Sequence, residues 1–91
     1  MRVQIENYKE QPKGSRKIAI FDVYLPDHRL RLRRLSLVEG SKGRFISSPS
    51  FPEGEDENKK WHNYFEFSLE KKEEFNSLLM RELEIFAPPP F

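Results

Sequence analysis

The sequence predicts an α+β fold: a twisted antiparallel sheet of four to five strands followed by one C-terminal amphipathic helix. Three observations carry this. Short runs of alternating apolar and polar residues recur along the first two thirds of the chain. Segments containing Gly and Pro punctuate them. Finally, Phe75, Leu78, Leu79, Leu83 and Phe86 fall at helical spacing along one face.

In chain order, "MRVQIENY" alternates Val3 and Ile5 with polar neighbours, a short half-buried strand. "KEQPKGS" then reads as a turn or loop. "RKIAIFDVYL" is the clearest strand, and its wholly apolar set Ala19, Phe21, Val23 and Leu25 is expected to face the core. Pro26 and Asp27 suit a tight turn. In "HRLRLRRLSLVEG" the apolar parity switches from Leu30 and Leu32 to Leu35 and Leu37. Strand side chains alternate strictly, so keeping all four leucines inside requires an extra residue, a β-bulge, at Arg33–Arg34.

"EGSKG" reads as a hairpin turn with Gly40 and Gly43 free to take positive φ. "RFISS" returns as a short strand, and "PSFPEGEDEN" reads as a mobile acidic loop. "WHNYFEF" predicts a last strand in which Trp61, Phe65 and Phe67 share a parity and pack under the helix. Tyr64 and His62 take the opposite face. Ser68 is placed as the N-cap of a helix running from Leu69 to Phe86, which "PPP" stops. One domain over residues 1–87 is expected, with 88–91 as an extended proline-rich tail.

Composition narrows the functional classes. There is no cysteine, hence neither a disulfide framework nor a thiolate metal site. The longest apolar run, Ile18 to Phe21, is far too short for a membrane span or a signal-peptide core, so a cytoplasmic protein with no membrane partner is expected. A chain this small has a thin core, which oligomerisation commonly supplements. The formal net charge of +1 conceals a split. Residues 1–50 hold eleven Lys/Arg against five Asp/Glu, and residues 51–91 hold five against ten.

Four arginines, Arg29, Arg31, Arg33 and Arg34, concentrate on the third strand. Charge there can keep an edge strand soluble. It can also face phosphates, which the planar guanidinium fork bonds in a bidentate way, or pair with the acidic loop of a partner subunit. Among the aromatics, Tyr64 is the candidate for base stacking. Catalysis has no constellation to rest on: His28 and His62 lie in different elements. The acidic run Glu53, Glu55, Asp56, Glu57 lacks the spacing of a calcium loop. No enzyme activity, cofactor, metal or small-molecule substrate is expected.

The string "DHRLRLRRLSLVEGSKGRFISSPSF" resembles the bacterial septation regulator family, stage V sporulation protein G. The matching positions are Asp27, His28, Gly40, Gly43, Phe45, Ile46, Pro49 and Ser50, and a looser similarity spans roughly Ile18 to Phe86. The resemblance implies a small cytoplasmic homodimer that binds DNA or RNA and tunes gene expression, with basic residues in the first helical turns touching nucleic acid. Lys71 and Lys72 stand at those positions, whereas Glu74 occupies a place the family fills with a basic residue and Glu66 replaces a proline. These glutamates motivate a second expectation, a protein-interaction module that keeps the fold without nucleic-acid binding.

Overall fold

The computed structural model describes residues 1–87. Four strands, β1 (Gln4–Glu10), β2 (Lys17–Leu25), β3 (Leu30–Gly40) and β4 (Gly43–Ser47), form an antiparallel meander in chain order. β5 (Ser50–Glu53) and β6 (Lys60–Asn63) form a separate two-stranded hairpin, and α1 (Leu69–Phe86) follows. The α+β architecture and the helix bounds agree with the sequence reading. The expected tail, 88–91, lies outside the described residues.

The core lies between one face of the sheet and α1. Phe21, Val23 and Leu25 of β2 and Leu32, Leu35 and Leu37 of β3 form one buried cluster with Phe75, Leu79 and Leu83 of the helix. Spacings of four in the helix and of two along β2 put each of those sets on a single side, Leu32 joins Leu35 and Leu37 across a bulge, and burial of these side chains is the main stabilising term. Arg44 on β4 donates from Nη1 to the Ala87 carbonyl at 2.9 Å, placing a cation on an end-of-helix carbonyl. Ser68 occupies the N-cap position, but its hydroxyl makes no capping bond.

The β3 bulge is present: Phe21 pairs with Leu35 and Val23 with Leu32, leaving Arg33 and Arg34 together opposite Asp22. It turns Leu32, Leu35 and Leu37 inward, while Leu30, at the strand's first position beside the turn, stays 48% exposed. Of the two hairpin glycines only Gly43 has positive φ, +117°. Gly40 serves close approach instead, since a Cβ there would lie 2.9 Å from the Phe45 ring.

Three expectations are corrected. The segment expected as a mobile acidic loop begins as β5, because Phe51 and Pro52 pair with His62 and Trp61. The last strand stops at Asn63, where the Tyr64 N–H turns to the Pro49 carbonyl at 3.0 Å. Phe67 reaches the helix, its ring 4.5 Å from that of Phe75, and Phe65 packs against the core. Trp61, however, is 64% exposed. Among the described residues β6 pairs only with β5, so alternation along it does not place a side chain under the helix.

A candidate cationic site on the open sheet face

The sheet face turned away from α1 carries polar residues from all four strands, although Arg44 of β4 lies on the helix side. The register lines up Lys9, Ile20, Ser36 and Ser47 across all four strands. At about 4.8 Å per strand step this row is about 14 Å long.

Three irregularities set which cations reach that face. Between Glu6 and Lys9, β1 has two residues against one on β2, a bulge with Asn7 at φ +53°. Tyr8 consequently packs against the core and Lys9 turns outward. A second shift, between Lys17 and Ala19, lets Ile18 pack against the core beside buried Ala19 and sends Lys17 out. The third, on β3, exposes both Arg33 and Arg34, the latter at φ +60°.

Asp22, 8% exposed at the middle of β2, ties two of these bulges together. Its carboxylate accepts from the Arg34 backbone N–H at 3.0 Å, from Asn7 Nδ2 at 2.8 Å and from Arg33 Nη1 at 3.4 Å. Burial opposes its ionisation, but these three donors outweigh it and hold the carboxyl below the usual aspartate range. Next to it, Arg31 donates to Glu6 from Nε at 2.6 Å and from Nη2 at 3.3 Å, and its guanidinium lies 4.9 Å from the Tyr24 ring centre. The Arg31 hydrogen bond holds the Glu6 carboxyl below its ordinary value.

The six residues singled out from the sequence therefore do not form one patch. Arg31 and Arg33 have their charge matched by Glu6 and Asp22. Arg34 is exposed and forms no ion pair among the described residues. Arg29, at φ +50°, sits in the β2–β3 turn, its N–H donating to the Pro26 carbonyl, at the opposite end of β2 from Lys17. Lys71 pairs with Glu74 at 3.3 Å, which lowers the Glu74 pKa. Lys72 lines a small depression of about 220 Å³ with Phe67, Phe75 and Phe45, apart from the arginines.

Where Arg34 lies, the surface is concave. A depression of about 790 Å³ between the open sheet face and the base of the β5–β6 hairpin is lined by Lys9, Lys17 and Arg34 as its charged groups. Asn7, Gln11, four serines and Tyr64 complete its polar lining, and no carboxylate is among them. A second groove of about 460 Å³, walled by Arg31, Arg33 and Arg34, shares Arg34, Pro49 and Tyr64 with the first. Three cations with no ion-pair partner among the described residues, set among amide and hydroxyl donors, can hold phosphate or carboxylate groups. Lys9 and Lys17 were not legible as site residues: simple alternation puts Lys9 in phase with Ile5, and Lys17 in phase with Ala19 and Phe21, on the inward set.

Among the described residues no group of three or more His, Asp or Glu side chains is placed to hold a metal ion. No helix among them is long and apolar enough to cross a membrane. No family model, no curated protein and no solved structure matches this chain.

Proposed function

We propose that this protein is a homodimeric nucleic-acid-binding regulator, the role implied by the resemblance to the septation regulator family, acting in the cytoplasm. The carrying observation is the depression lined by Lys9, Lys17 and Arg34 with no carboxylate in its wall. Phosphate neutralisation by such cations releases counterions and supplies most sequence-independent affinity. Within this reading Arg34 is the principal arginine of the four, Arg31 and Arg33 flank it, and Arg29, Lys71 and Lys72 lie outside the main contact.

Anisotropy of labelled DNA and RNA between about 50 and 200 mM salt tests it. Affinity falls steeply with salt, and Arg34→Gln weakens binding more than Arg29→Gln or Lys71→Gln. Absence of binding to both polymers at the lower salt removes the proposal. An equal loss in all three variants moves the contact away from the depression.

One observation favours a second reading, a protein-assembly module. The helix start presents Glu70 and Glu73, and its Lys71 is already paired with Glu74. Recovery of a protein partner, together with a nucleic-acid-free absorbance ratio at 260 and 280 nm, would favour it.

A further inference from the structure

We infer that the depression is built for single-stranded nucleic acid, with the sugar–phosphate chain on Lys9, Lys17 and Arg34 and an unstacked base on Tyr64. This rests on the nucleic-acid reading above and assigns its substrate class.

Tyr64 supports the assignment through position and exposure. It is 67% exposed, yet its ring is set by the hairpin: its N–H is bonded to Pro49 and its ring centre lies 4.9 Å from that of Phe51. Phe51 in turn lies 5.7 Å from His62. A large aromatic braced by a neighbouring ring tilted 51° to it, and still mostly exposed, is a platform for the face of a base. Tyr64 also belongs to the walls of both the 790 Å³ depression and the 460 Å³ groove, so the platform stands beside Arg34 where the two recesses meet. Their volumes suit nucleotide-sized groups. The face of a four-stranded sheet, about 14 Å across, is a scale on which two or three bases are held.

The same features disfavour a duplex. Reading a duplex groove takes a projecting helix or a two-stranded ribbon. The exposed ribbon here is β5–β6, whose tip, residues 53–60, holds four acidic residues against Lys59 and Lys60, a net negative charge that disfavours a phosphate backbone. The first turns of α1 expose Glu70 and Glu73 beside the Lys71–Glu74 pair. The recessed cations reach a chain that enters the depression, and a base engages Tyr64 only when it is unpaired and unstacked.

The test is anisotropy with fluorescein-labelled twelve-residue oligo-dT, oligo-U and a twelve-base-pair duplex at about 50 mM salt, repeated with Tyr64→Leu, Tyr64→Phe and the double variant Lys9→Gln/Lys17→Gln. Both single strands are expected to bind at least about tenfold more tightly than the duplex, given the loss of stacking in a paired site. Their order then assigns DNA or RNA as the preferred polymer. Tyr64→Leu weakens single-strand binding about 5- to 150-fold, while Tyr64→Phe retains it. The lysine variant lowers the magnitude of the log–log salt slope by about 1.4, at about 0.7 per phosphate. Thermal melting of each variant separates lost binding from lost folding. Duplex binding as tight as single-strand binding, or an inert Tyr64→Leu, overturns the single-strand assignment and leaves the nucleic-acid reading standing. No binding to any of the three probes overturns both.

Discussion

Asp22 Oδ1 accepts a hydrogen bond from the backbone N–H of Arg34 at 3.0 Å, so a buried carboxylate on the second strand fixes a residue of left-handed backbone on the third. A non-glycine residue at φ +60° carries a cost of about 1–2 kcal/mol, which its surroundings must offset. The charged acceptor supplies that offset, and the same carboxylate holds Asn7 in the first-strand bulge. One side chain thereby sets the local register of three strands and presents Arg34 to solvent.

Asp22→Ala is expected to destabilise the fold by about 2–4 kcal/mol, because the charged hydrogen bonds are lost and a bulge N–H is left without its acceptor. Urea denaturation followed by circular dichroism measures it. A loss below about 0.5 kcal/mol, the range of an inert surface substitution, would show that the bulges hold without the carboxylate. Arg34→Gly removes the positive-φ cost while keeping the N–H, so its stability stays level or rises.

Stability also depends on acid pH with a definite sign. The folded-state pKa of Asp22 lies below the unfolded value, so the folded protein binds fewer protons and stability rises with pH across the acid window. Glu6, Asp27 and Glu74, held by Arg31, Arg2 and Lys71, shift in the same direction. The contribution is fully present above about pH 5, declines as pH falls through about 4, and is lost below the folded-state values. Urea midpoints measured from pH 7 to pH 3 should fall in this window, and Asp22→Asn should flatten the slope.

Two leucines of α1 make opposite predictions. Leu79 is fully buried in the central cluster, and Leu79→Ala should cost about 2–5 kcal/mol, the range for a cavity left by a core leucine. Leu69, exposed at the first helical residue, should be replaceable by alanine within about 0.5 kcal/mol. Denaturant midpoints of the pair test whether the helix is held chiefly by its buried stripe.

For the homodimer, light scattering at micromolar concentration is expected to give twice the 10.9 kDa chain mass. Ile85 of the helix and Phe45 of β4 are large apolar residues exposed in the single chain. A monomer mass would contradict the dimer, and partial protection of these positions at the higher concentration would locate it.

The sequence reveals most where apolar residues leave one phase available. The helix bounds follow from the spacing of Phe75, Leu79 and Leu83 and the prolines that follow, and the β3 bulge from a parity switch between strong apolar pairs. At Ile18–Ala19 both neighbours are apolar and at Asn7–Tyr8 the tyrosine is amphipathic, so either phase is acceptable locally and the bulges are decided by the partner strand. For that reason Arg34 was legible and Lys9 and Lys17 were not. The position of Trp61 was missed for a related reason: alternation assigns a residue to a side of its strand without saying whether anything lies against that side.

The β5–β6 unit departs from the body at Pro49 and rejoins it at Tyr64, and a single 3.0 Å backbone bond joins those two points. An excursion whose ends meet can be lengthened or trimmed at only a slow, logarithmic entropic expense. Engineered versions of this chain are therefore free to vary the excursion and reshape the recess beside it, while the four-stranded scaffold is left unchanged.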